Sequence, residues 1–447
     1  MSAALRSVGF PDTLSSAPAE PSLRASPIHA RLLRLVAKLG PAVLWLLVLC
    51  GSSCSSPERS GRGPAANHQA PAQRPLPLPS SGQGEYFARE ARLLFRVVAC
   101  TGSEALPPNI DPAIVKEHCG QLKPRMNEYR AQYLAQASPY LAKIRTADLP
   151  QTVVYPFGGG DLLSALTTYP DAKEITTLSL ELAGDPRRIH SLAGESLRES
   201  LREVRDSLQG LLVQSDSTSE NLQKAQRGEI PGQIAFFLVA LAIHGFEPTG
   251  LKYFQLQPDG AAHYLSAREI QVLEQKTANP RHRKWMQPDF SEAFANSELL
   301  FRRAGSSEQP RVHRHIGANL SDAAFGKNSP ILRHLAAKGQ VAAMTKAASY
   351  TLWNPRFTEI RDYLLDHAAI MISDSTGIPP DIALGHGFSL ECFGRFEGSL
   401  LPASPEINEE FRALWKSQPY RPLPFRYGYW DVKANYHMLV IRGSGKM

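Results

Sequence analysis

Gln151-Thr-Val-Val-Tyr-Pro-Phe-Gly-Gly-Gly-Asp161, continuing through Leu162-Leu-Ser-Ala-Leu-Thr-Thr-Tyr169 to Glu174-Ile-Thr-Thr-Leu-Ser-Leu-Glu181, spells strand, glycine turn, helix, strand. Residues 152–155 are β-branched and aromatic, while Leu162, Leu163, Ala165 and Leu166 recur at helical spacing. Residues 175–180 are again β-prone and largely apolar, as a strand covered on both faces is. Two such strands joined through one helix cannot form a hairpin, so they run parallel in a right-handed βαβ unit. Sheets of this kind bind ligands at the carboxyl ends of their strands, here residues 156–161 and 181–188. The stretch points to a pocket without identifying a reaction.

Gly158, Gly159 and Gly160 let the backbone take positive φ and let a ligand approach the main chain, and the first amides of the next helix can receive an anion or polar group. A tight turn in which Asp161 caps the helix is the plainer alternative. The motif has neither the spacing of Gly-x-Gly-x-x-Gly nor the Lys-Ser/Thr of a P-loop. Glu181 ends the second strand, where an acid in many such folds takes a ribose hydroxyl pair; a solvated strand-end glutamate is the alternative.

Outward from this unit, residues 191–212 read as an amphipathic helix and 230–245 as a nearly all-apolar helix, buried rather than membrane-spanning at that length. Residues 250–256 and 310–316 read as strands around a polar, irregular insertion near 258–309. In the last third, 357–367 is a helix, 368–374 a short buried strand, and 423–429 pairs with 435–442 as a closing hairpin. The fold class expected for 151–447 is α/β, a Rossmann-like three-layer sandwich with a mostly parallel sheet and a C-terminal antiparallel hairpin, preceded by a helical region over 84–150.

Strand ends on one rim bring together Tyr155, Asp161, Glu181, Lys346, Ser349, Tyr350, Asp374 and Ser375, a set able to orient a polar ligand. Ser349 is outside any Gly-x-Ser-x-Gly, so no nucleophile elbow is supported and no catalytic residue is assigned. His313 and His315 share one strand face, as a metal pair or a solvated or hydrogen-bonded pair; spacing fixes no third ligand, and no metal is expected.

With 447 residues and 43% hydrophobic content the chain can build a substantial core, and 49 basic against 42 acidic residues leave only +7. Arg281-His-Arg-Lys284 lacks interleaved aromatics, so no nucleic-acid partner is expected. Arg31-Leu-Leu-Arg-Leu-Val-Ala-Lys38, the apolar residues 41–49 and Cys50-Gly-Ser-Ser-Cys-Ser-Ser56 read as a secretory signal with a cysteine-rich exit. That exit resembles bacterial lipoprotein signals, which places a lipid on Cys50 or Cys54 at the end of a 1–54 signal segment and makes the membrane a partner. Residues 55–83, rich in Pro, Ser, Gly, Ala and Gln, are expected to be a disordered tether. Outside the cytosol Cys100 and Cys119 can form a disulfide, leaving Cys392 as a buried thiol.

At Val154-Tyr-Pro-Phe-Gly-Gly-Gly-Asp161, Lys346-Ala-Ala-Ser-Tyr350, Ile360-Arg-Asp362, Asp374-Ser-Thr-Gly-Ile-Pro379 and Pro422-Leu-Pro-Phe-Arg-Tyr-Gly428 the chain resembles a family of uncharacterised bacterial exported proteins and lipoproteins. Members often have Tyr-Pro-Phe-Ser-Gly-Pro-Asp at the first motif, from which Gly158 and Gly160 depart. The strand, glycine turn, helix and strand ending in Glu181, with a late hairpin ending in His437-Met-Leu-Val-Ile-Arg442, also resemble class I methyltransferases that use S-adenosylmethionine. The family brings no established activity with it; taken with the strand rim, the function expected is an envelope lipoprotein that binds a small polar ligand, with a methyltransferase-like enzyme and a purely structural envelope protein as alternatives. The cofactor is left unassigned.

Overall fold

The computed structural model describes residues 84–146, 148–214, 229–230, 232–277, 291–326, 328–346, 348–374, 377–396, 405–427 and 437–443. The signal segment with Cys50 and Cys54, the tether and Ser375 lie outside the described residues. The fold begins with α1 (Ala88–Val97), α2 (Pro112–Tyr129) and α3 (Ala135–Ile144). Pro124 and Pro139 each remove an amide from the helical ladder, and between them the helix widens into one π turn over Arg130–Leu134. Cys100 and Cys119 are joined in a disulfide that ties α2 to the end of α1, with 5.5 Å between their Cα atoms.

Next come β1 (Thr152–Pro156), α4 (Leu162–Thr168), β2 (Glu174–Ser179), α5 (Gly194–Gln214) and α6 (Gly232–Ile243). Then follow β3 (Phe246–Leu256), β4 (Ala262–Tyr264), α7 (Ala267–Thr277), β5 (Ser297–Arg303) and β6 (Arg311–Gly317). The last third contains α8 (Asp322–Phe325), α9 (Pro330–Ala336), β7 (Val341–Thr345), α10 (Thr358–His367) and β8 (Ala368–Ser373). It ends with α11 (Pro380–Gly385), β9 (Ser389–Gly394), α12 (Pro405–Lys416) and β10 (His437–Arg442). The strands form one sheet in the order β4-β3-β5-β6-β2-β1-β7-β8-β10-β9.

The protein is α/β, but the sheet is mixed rather than mostly parallel. Parallel pairing is confined to β6-β2-β1-β7-β8, and the five other pairings are antiparallel. The reason lies in residues 258–309, expected to be irregular, which carry β4, α7 and β5. Ser297–Arg303 pairs antiparallel with both β3 and β6, so the insertion widens the sheet. The closing hairpin is also differently built. β10 pairs with β9 and β8, whereas no strand is assigned over residues 423–427, where Pro422 and Pro424 remove ladder donors.

Side-chain alternation along the central strands feeds two separate hydrophobic clusters. Val153 and Tyr155 of β1 pack into one with α1 to α6, and Val154 into the other with residues of α9, α10 and α12. Residues 234–243 of α6 lie in the first cluster, and no described helix is long and apolar enough to cross a membrane. Arg130, at the π turn, donates to the carbonyls of Ala242 at 2.8 Å and Ile243 at 3.0 Å, satisfying the carboxyl end of that buried helix. Glu174, at the start of β2, is buried against Lys338 and Arg314, and Arg314 also meets buried Glu298, so the two acids and two bases balance. One edge strand, β4, is only three residues long. The other, β9, is covered along its outer side: Gln418 accepts from the Cys392 amide at 3.0 Å and donates to the Leu390 carbonyl at 2.9 Å. Beyond it, the Arg421 carbonyl accepts from the Gly394 amide at 2.7 Å.

Candidate functional site

From β1 the chain moves outward to β2 and later returns to place β7 on the opposite side of β1. The strand order therefore reverses between β1 and β7, the position at which open α/β sheets form a crevice outside the strand ends. The glycine turn lies there, with positive φ at Phe157 (61°) and Gly159 (49°). A non-glycine residue in that region is uncommon, and its ring packs edge-on against Phe357 at 5.8 Å.

Two of the three glycines are needed for packing against the protein itself. A Cβ on Gly158 would stand 2.7 Å from the Tyr155 ring, and one on Gly160 would collide with Gln233 Oε1. The turn closes on Tyr155 and Gln233 at these two positions.

Asp161 works in both of the directions open to it. Its Oδ1 accepts from the Ser164 amide at 3.0 Å, capping α4, and its Oδ2 accepts from the Tyr155 hydroxyl at 3.1 Å. Lys346, just past β7, places Nζ 3.6 Å from Oδ2 and donates to Ser164 Oγ at 2.7 Å. The same ammonium lies 5.5 Å from the centre of the Tyr427 ring. Asp374, just past β8, is fully buried and its amide donates to the Thr345 carbonyl at 3.1 Å. Burial first, and then the Asp161 carboxylate, push the Tyr155 phenol well above its ordinary range, so it stays a donor.

Around this pair several buried polar atoms have no hydrogen-bond partner among the described residues: both ends of the Gln233 amide, Thr345 Oγ1 and Ser373 Oγ. Gln233 faces Gly160, Thr345 precedes Lys346, and Ser373 is the register partner of Thr345 and precedes Asp374. Such orphaned groups are uncommon in folded interiors, and each costs about 1–3 kcal/mol.

The structure thus joins Tyr155, Asp161, Lys346 and Asp374 of the expected rim and packs the glycine turn against them. Ser349 lies in a short turn of helix, Ala348–Trp353, and its side chain and that of Tyr350 are outside the described residues. Glu181 is buried, not solvated, and lies two residues beyond β2. Burial raises its carboxyl, partly offset by Ser179, and its carbonyl accepts from His315 Nε2 at 2.7 Å. His315 and His313 are buried and share the Thr177 hydroxyl, at 3.1 Å from Nδ1 and 3.0 Å from Nε2 respectively. Burial lowers His315 to about 4 and His313 well below the usual imidazole range, so the pair is neutral and hydrogen-bonded. Among the described residues, the one group spaced for a metal is Cys100, His118 and Cys119, and its two sulfurs are bonded to each other.

Ser164, Gln233, Thr345, Ser373 and Tyr427 were not among the residues expected at this site. Gln233 carried a signal, being the one polar side chain in the apolar run Gly232–Ile243. No protein-family model, curated protein or solved structure matches the chain.

Proposed function

We propose that this chain is an exported, lipid-anchored envelope protein whose Rossmann-like three-layer core binds a small polar ligand at the rim between β1 and β7. The observation that carries the ligand reading is the set of unpartnered buried atoms on Gln233, Thr345 and Ser373 beside the Asp161 and Lys346 pair. A bound molecule that supplies their missing partners offsets the cost of burying them. The orphaned Gln233 Oε1 acceptor and the Thr345 and Ser373 hydroxyls favour a ligand rich in hydroxyl or amino donors. Export draws support from the signal-like segment with Cys50 or Cys54 as the lipid site, and from the Cys100 and Cys119 disulfide, a bond that persists outside the reducing cytosol. The resemblance to exported bacterial proteins accords with this reading.

A methyltransferase-like enzyme is the second reading, favoured by the parallel strands around β1 followed by an antiparallel β9 and β10. Fold alone does not set function, and the faces of Gly158 and Gly160 are taken by Tyr155 and Gln233 rather than left as a bare cradle. Protein purified from the envelope fraction separates the readings. Mass spectrometry under native conditions is expected to find a hydroxylated or aminated small molecule that Gln233→Leu fails to retain. Saturable binding of S-adenosylmethionine would favour the enzyme. A parent protein that retains nothing and binds nothing leaves a structural role and overturns the ligand proposal.

A further inference from the structure

At the outer edge of the sheet, β9, α12 and residues 418–421 enclose an open cleft of about 350 Å³, separate from the rim site. Four cations line it, Arg395, Arg412, Lys416 and Arg421, together with Trp415 and Tyr420, and no carboxylate is among the described lining residues. The nearest described acid in contact with these cations is exposed Glu409, 3.5 Å from Arg412. Gathering like charges around one hollow is unfavourable unless an anion neutralises them.

The cleft is also organised. Arg421 donates to Gln418 Oε1 at 3.0 Å and to the Cys392 carbonyl at 3.4 Å, which holds its guanidinium against the strand edge. Arg395 stacks over the Tyr420 ring at 5.4 Å, and Tyr420 is 63% exposed, unusual for so large an aromatic. Behind the wall, Trp415 Nε1 and both ring nitrogens of His437 are buried without a hydrogen-bond partner among the described residues.

We propose that this cleft binds a phosphorylated aromatic molecule of mononucleotide size. Guanidinium forks match the oxygens of a phosphate, and the exposed Tyr420 ring offers a stacking surface for a planar base. The volume falls in the range of small-molecule sites.

The test is calorimetric titration of the purified protein with adenosine 5′-monophosphate, adenosine and inorganic phosphate separately. The monophosphate is expected to bind saturably, with adenosine and phosphate each weaker by about tenfold or more. Arg395→Ala combined with Lys416→Ala removes two exposed cations that hold no backbone, and is expected to weaken binding by at least about tenfold with an unchanged melting temperature. Tyr420→Ala, also exposed, is expected to weaken the monophosphate while leaving phosphate unchanged. Absence of saturable binding, phosphate binding as tight as the monophosphate, or insensitivity to both variants would overturn the proposal.

Discussion

Replacing Lys346 with methionine tests the buried pair at the strand rim. The two side chains are close in length, so packing beside Tyr427 is kept and the ammonium is lost. That group donates to Ser164 Oγ at 2.7 Å and stands 3.6 Å from Asp161 Oδ2, with both side chains only 1% exposed. The Asp161 carboxylate would retain the Tyr155 hydroxyl and the Ser164 amide, and no other described cation comes within ion-pair range of it. Breaking one side of a buried pair costs about 3–5 kcal/mol. The two surviving hydrogen bonds place this case at the low end, about 3 kcal/mol. Asp161→Asn keeps an oxygen for the helix cap but removes the charge, so the double variant is expected to be more stable than the sum of the single losses predicts, by about 1–3 kcal/mol. Urea denaturation at pH 7.5, followed by circular dichroism, measures all four proteins. A Lys346→Met loss below about 1 kcal/mol, or strict additivity, would refute the claim that the two charges hold each other in place.

Serine at both Cys100 and Cys119 opens a loop with a sequence separation of 19 and should cost about 3 kcal/mol in the chain-entropy account, read from denaturation with and without reductant. Gly158→Ala places a carbon 2.7 Å from the Tyr155 ring, and overpacking of this kind should cost about 1–3 kcal/mol, measured as a lower urea midpoint. Acid should act through histidine before it acts through the carboxylates. Burial lowers His118, His244 and His315 to about 4 and His334 and His437 to about 3 in the folded chain, against 6.5 when exposed. Between these values the unfolded chain binds protons that the folded one refuses, so stability is full above 6.5 and falls as pH drops towards 4. Denaturation curves at pH 7.5 and pH 5 that coincide would contradict this; the His437→Phe variant should show a shallower decline.

The βαβ unit was legible because each of its signals was local: β-branched residues in β1 and β2, helical spacing in α4, and glycines between them. The antiparallel half of the sheet was not, because its evidence is non-local. Ser297–Arg303 contains a Glu and two Arg, which mark a surface stretch in sequence, yet Glu298 is buried through its contact with Arg314, sixteen residues away. The hairpin was misread for a related reason: residues 423–427 have the aromatic composition of a strand, but Phe425 and Tyr427 use it to pack into the core without ladder pairing. At the rim, Asp161 and Lys346 follow strands and were accessible to pattern. Gln233 and Tyr427 reach the same place from a helix and a loop, positions that only the tertiary fold brings together.

The cover over β9 has a consequence for the protein as one molecule among many copies. A bare outer strand offers a row of amides and carbonyls on which a second chain can grow, the first step of edge-to-edge aggregation. Here the outward groups of Leu390, Cys392 and Gly394 are already taken by the Gln418 amide and the Arg421 main chain. A side-chain amide thus mimics one peptide unit of a missing neighbour. It ends the sheet at its tenth strand and leaves a nascent or crowded copy little open template to pair with along this edge.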